Sequence, residues 1–132
     1  MKKALFLLYL LGLLGIGLHA QENPAAKTDS IVFDKMVHNY GTIEQGSDGT
    51  CEFTFTNTGK EPLVLSGVRA GCGCTLPEWS KDPILPGESG VIKVKYDTRR
   101  VGPIAKAVVV TSNAINSRVV LRITGSVVAK SE

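Results

Sequence analysis

Histidine is nearly absent from this chain: of 132 residues two are histidine, and one of them, His19, lies in the apolar N-terminal segment. The remaining His38 leaves little on which to build a Ser-His-Asp or Cys-His arrangement. Its default role is that of an edge or surface strand residue. Paired catalytic carboxylates are missing as well, since Asp34, Glu88 and Asp97 fall at strand ends and turns, where solvated or turn-capping acids are the rule. There is no glycine-rich phosphate loop, internal repeat or low-complexity tract, and from Ile31 onward no window of a dozen residues carries a helical stripe. Charge of one sign is lacking too. Without Lys2 and Lys3, thirteen basic residues face twelve acidic ones, a balance that argues against nucleic acid as a partner. The chain is read as no enzyme and as needing no cofactor.

What is present begins with Lys2 and Lys3, an apolar run from Ala4 to Leu18, and Leu18-His19-Ala20 before Gln21. This is the three-part layout of a secretory signal peptide, with cleavage expected after Ala20. A permanent anchor fits less well, because a spanning helix needs roughly 20 apolar residues and glycines interrupt this run at 12, 15 and 17. The expected product is periplasmic or secreted, without a transmembrane span after cleavage. Residues 21–30 are polar with small side chains and read as a flexible lead, and residues 31–132 have the length of one domain with one core.

From Ile31 onward apolar residues recur with period two between Gly, Pro and Asn. Thr50 to Asn57 alternates Cys51, Phe53 and Phe55 with Glu52, Thr54 and Thr56, the pattern of a half-buried strand. Leu63, Leu65 and Val68 form the next inward set; Ile92, Val94 and Tyr96 another; Val108 and Val110, then Leu121, Ile123 and Val127, complete it. With Ile31 to Val37 the pattern predicts an all-β chain, an immunoglobulin-like antiparallel sandwich of about seven strands.

Several stretches carry a resemblance: Tyr40-Gly41-Thr42-Ile43, Phe53-Thr54-Phe55-Thr56-Asn57-Thr58-Gly59, Pro62-Leu63-Val64-Leu65, Cys72-Gly73-Cys74-Thr75, Pro83-Ile84-Leu85-Pro86-Gly87, Tyr96-Asp97 with Gly102, and Ser112-Asn113. In this order they resemble the bacterial domain-of-unknown-function family 1573, exported immunoglobulin-like domains similar to Hydin and major-sperm-protein sandwiches. The resemblance implies a fold and a compartment and no defined reaction. The family often has Phe at the positions of Tyr40 and Ile104, and Cys51 is not part of its pattern.

An exported domain meets oxidising conditions, so its three cysteines, Cys51, Cys72 and Cys74, are disulfide candidates. In an extended strand Cys72 and Cys74 would stand about 6.6 Å apart on one face, whereas a disulfide wants its Cβ atoms about 3.8 Å apart. Bridging them requires a bend, which Gly73 is expected to supply through backbone angles closed to other residues. The small ring would be readily reduced. The alternative joins Cys51 to Cys72 or Cys74 across the core and closes a loop of about twenty residues. A third reading keeps the thiols reduced for a soft metal such as Cu(I), with Met36 and His38, one residue apart, as additional copper candidates. Zinc suits the spacing poorly, since its paired cysteines usually have two to four residues between them and Cys72 and Cys74 have one.

Trp79 is expected to cover the core or to anchor a partner, and Arg99-Arg100 forms a small basic turn open to an anionic envelope component. These features point to a non-catalytic binding or assembly module of the cell envelope, working through loops and sheet edges on another envelope or secreted protein. The alternative is a thiol-redox or copper-handling protein built on Cys72 and Cys74.

Overall fold

The computed structural model describes residues 30–131. The expected signal peptide, and the lead up to residue 29, lie outside the described residues. Eight strands follow one another: β1 (Ile31–Phe33), β2 (Val37–Glu44), β3 (Thr50–Asn57), β4 (Leu65–Ala70), β5 (Thr75–Glu78), β6 (Ser89–Tyr96), β7 (Gly102–Ser112) and β8 (Arg118–Val128). They form two four-stranded sheets, ordered β1-β3-β6-β5 and β2-β8-β7-β4. Among the described residues no helix is long and apolar enough to cross a membrane.

The period-two pattern explains the layers. Phe53 sits opposite Ile92 and Cys51 opposite Val94 in the first sheet; Val108 sits opposite Leu121 and Val110 opposite Val119 in the second. Phe53, Ile92, Val94, Val108, Leu121 and Ile123 are fully buried between the sheets. Truncating a side chain such as Phe53 at this depth costs about 3–5 kcal/mol.

The strand between Ile31 and Val37 is really two. Asp34 to Met36 carry the chain from one sheet to the other, so β1 and β2 become edges of different sheets on the same side of the sandwich. β5, four residues containing a proline, is the other strand that the apolar alternation does not reveal. The pairing of β2 with β8 is parallel, the one departure from an antiparallel arrangement. Its register slips between Asn39 and Thr42, where Gly41 adopts a φ of 73°. That left-handed angle suits glycine and marks a bulge.

Candidate functional site

Between β4 and β5 the chain leaves one sheet and enters the other through Gly71-Cys72-Gly73-Cys74. In this crossover Cys72 and Cys74 are joined by a disulfide, with their Cα atoms 5.3 Å apart, and Cys51 is a free, buried thiol. The register explains why Cys51 pairs with neither. Cys51 stands opposite Val94, whereas the Cys74 carbonyl accepts from Asp97 N–H at 2.8 Å on the far side of β6. Two strand spacings across and three residues along put the Cα atoms about 14 Å apart, beyond the limit of about 7 Å for a bridge. The bend does not rely on Gly73's special freedom. Its φ is not positive, and a Cβ there would meet nothing within 4 Å.

As a staple this bond is weak. The chain-entropy relation gives about 1.6 kcal/mol for so short a loop, against about 3.4 kcal/mol for one of twenty-odd residues. Its surroundings are polar. Cys74 N–H donates to Cys72 Sγ at 3.3 Å, and the Cys74 sulfur lies 3.7 Å from Thr75 Oγ1. Cys72 is half-buried while Cys74 is 6% exposed. A groove beside them is lined by Gly73, Cys74, Leu76, Lys95, Asp97 and Arg99. In it Arg99 donates from Nε and Nη2 to the two Asp97 carboxylate oxygens at 2.8 and 2.9 Å. That guanidinium holds the Asp97 carboxyl down at about 2. The basic turn therefore has one of its two charges already committed.

The other candidates lie elsewhere. Met36 precedes β2 and is exposed, and His38 is on β2 with Nδ1 2.9 Å from Lys35 Nζ and its ring edge-on to Tyr40. Burial and the Lys35 charge hold its pKa below the ordinary histidine value. β2 and β4 are opposite edges of one sheet with β8 and β7 between them, about 14 Å at the usual strand spacing. Met36 and His38 are thus not brought to Cys72 and Cys74, and among the described residues no group of three or more His, Cys, Asp or Glu side chains is placed to hold a metal. Trp79 is half-buried against the core, with Lys81 Nζ 5.7 Å from its ring centroid and its buried Nε1 unpaired.

Sheet edges were expected to matter, and they are unequal. On β5 the register turns the backbone groups of Thr75 and Pro77 outward. Thr75 N–H is taken by the Cys72 carbonyl at 3.4 Å, and proline has no N–H, so this edge offers no donor. On β1 the Asn116 side chain acts as a substitute strand. Its Oδ1 accepts from Ile31 N–H at 3.2 Å, and its Nδ2 donates to the Ile31 carbonyl at 2.8 Å. β4 is short, broken by a register shift after Leu65, and carries the exposed Arg69, features that discourage pairing. β2 is longer, and among the described residues its one interruption is the bulge at Gly41. The bonds Arg122 N–H to Met36 carbonyl and Gln45 N–H to Val128 carbonyl fix its phase, so the backbone groups of Val37, Asn39 and Thr42 point away from β8. The pattern of apolar residues could not reveal this, because it reports faces and not edges.

Residues 31–127 match a family described as protein of unknown function, DUF1573. The chain belongs to the DUF1573 family. No curated protein matches it. Its fold is similar to that of a protein of unknown function from Porphyromonas gingivalis W83 (TM-score 0.66, 17% identity), covering 82% of this chain and 51% of that one. The chain thus spans about half the length of that relative. It is similar to a PapD-like domain of human CEP192 (TM-score 0.64, 11% identity, 88% of this chain and 99% of that one). It is also similar to the YadV chaperone (TM-score 0.52, 13% identity, 77% and 53%). The DUF1573 domain is therefore an immunoglobulin-like β-sandwich of the kind found in PapD-like domains.

In this DUF1573 domain most residues that carry the family resemblance are occupied with the fold. Asn57 is 1% exposed; its Nδ2 donates to the Glu61 and Ile84 carbonyls, both at 2.8 Å, and its Oδ1 accepts from Gly59 N–H at 2.9 Å. Asn113 ties Val64 and Pro62 in the same manner. Gly87 and Gly102 have φ of 86° and 129°, conformations that favour glycine. Tyr40 Oη donates to the Gly49 carbonyl at 2.5 Å and lies 3.6 Å from Cys51 Sγ, so Tyr40 and Cys51, both departures from the family pattern, meet in space.

Proposed function

We propose that the chain is a non-catalytic, extracytoplasmic binding or assembly module of the cell envelope that takes its partner as an added strand along β2. The observation that carries this reading is the β2 edge, eight residues long and open on either side of its bulge at Gly41, while the other edges among the described residues are blunted or capped. Strand addition needs only main-chain donors and acceptors for affinity, with side chains at alternate positions for specificity. Exposed Met36 and Val37 at the start of this edge supply apolar contact for such a segment. The likeness to the YadV chaperone, a protein named for acting on another chain, is in keeping with it. The N-terminal layout and a disulfide, a bond at home outside the cytosol, support the extracytoplasmic part of this reading.

The test uses photo-cross-linking residues incorporated singly at Thr42 on β2 and at Glu78 on β5, in the native host. Cross-links to an extracytoplasmic protein are expected from Thr42 and not from Glu78. They are expected to disappear in Val37→Pro, which deletes an outward N–H without touching the ladder. Equal labelling at Glu78, or labelling at Thr42 that survives Val37→Pro, contradicts the proposal.

One observation favours a second reading, thiol-redox chemistry: the bond between Cys72 and Cys74. The copper version has no comparable support, since Met36 and His38 lie at the β2 edge, away from the crossover that carries Cys72 and Cys74.

A further inference from the structure

The disulfide lies on the surface of a crossover, contributes little as a staple and is bordered by groups that suit a thiolate. We infer that the Cys72–Cys74 bond is a thiol–disulfide exchange site, attacked at Cys72 and releasing Cys74. This rests on the thiol-redox reading and not on strand addition at β2.

Access decides which sulfur is attacked, because the incoming thiolate must approach its target directly. Cys72 is half-buried and flanked by exposed Gly71 and Gly73, where nothing lies within 4 Å of the Cβ position, whereas Cys74 is buried at 6% exposure. The leaving sulfur must carry negative charge. Cys74 has Thr75 Oγ1 at 3.7 Å and lines the groove that Lys95 also lines, where Arg99 is paired with Asp97, and a cation and a hydroxyl donor favour a thiolate. After exchange at Cys72, the Cys74 N–H now 3.3 Å from Cys72 Sγ is placed to favour that sulfur when it leaves in turn.

The step balances as follows. A thiolate of a dithiol attacks Cys72 Sγ; a bond forms between them as the Cys72–Cys74 bond breaks, and the electron pair leaves on Cys74 Sγ. The second thiolate of the dithiol attacks the sulfur of the first and expels Cys72 as a thiolate. The dithiol is oxidised to a disulfide, and Cys72 and Cys74 are reduced to two thiols, which take up the two protons. Buried Cys51, held about 14 Å from Cys74 by the sheet register, takes no part. The substrate class is a thiol, carried by a small molecule or by a polypeptide.

The test incubates the folded, oxidised chain with reduced glutathione in one arm and with a reduced, unfolded protein bearing cysteine pairs in the other. Both are quenched in acid, alkylated and mapped by mass spectrometry, with Trp79 fluorescence reporting that the chain stays folded. The expected result is a mixed disulfide on Cys72 at least ten-fold more abundant than on Cys74, with Cys51 unmodified. Reaction in the glutathione arm assigns a small thiol as a competent source; reaction confined to the other arm assigns a polypeptide. In Cys74→Ser the Cys72 adduct formed with glutathione disulfide should persist, and in Cys72→Ser adduct formation at Cys74 should be at least ten-fold slower. Exchange that occurs only when the chain unfolds, or that maps equally to both sulfurs, overturns the inference.

Discussion

Replacing Asn57 with alanine should weaken this fold more than any other polar substitution among the family-pattern residues. The side chain is 1% exposed and makes three hydrogen bonds, to the Glu61 and Ile84 carbonyls and from Gly59 N–H. The Ile84 carbonyl keeps a second partner in Leu63 N–H at 2.9 Å, so its loss is partly covered, while Gly59 N–H loses its Asn57 acceptor. At about 1 kcal/mol for each bond, the cost is about 2–3 kcal/mol. For a domain near a hundred residues that corresponds to a fall in Tm of roughly 10–20 °C. Asn57→Asp should cost more, since a carboxylate oxygen would replace the amide donor facing two carbonyls. Urea unfolding followed by Trp79 fluorescence measures both, and the slope against denaturant should be unchanged. A loss below about 0.5 kcal/mol for Asn57→Ala would refute the view that this residue ties the β3 turn to the segment before β6.

Tyr40→Phe removes the donor to the Gly49 carbonyl and should cost about 1 kcal/mol by the same unfolding assay. Pro77→Val returns an N–H to the outer edge of β5, so concentration-dependent association in size-exclusion chromatography should increase over that of the parent chain. The lowered pKa of His38 has a defined sign: the unfolded chain binds the proton more readily, so stability should decline as pH falls through the ordinary histidine range and be fully present above it. His38→Gln should remove that part of the pH dependence, and NMR titration should place the histidine below its ordinary value. Cys72→Ser should lower stability by no more than about 1.6 kcal/mol, the value for so short a loop.

The faces of the sandwich were legible because burial imposes period two: Phe53, Ile92, Leu121 and Ile123, all assigned inward from the alternation, are fully buried. What alternation does not encode is where a strand changes sheets. The Asp34 to Met36 crossover splits one apolar stretch into β1 and β2, and β5 is too short and too polar to stand out. Cysteine pairing was likewise open, because it depends on the order of β3, β6 and β5 across the sheet and on the register of Cys51 with Val94. The roles of Pro77 and Asn116 as edge guards came only from the hydrogen-bond phase of their strands.

Strand addition along β2 is tested most directly by residue-resolved amide hydrogen exchange on the free chain and on its cross-linked complex. The account predicts that Val37, Asn39 and Thr42 exchange freely in the isolated protein while their neighbours His38 and Ile43 are protected, and that these three slow markedly in the complex. Protection of Val37 and Asn39 in the free chain, or partner-dependent protection that falls on β4 or β5 instead, would contradict it.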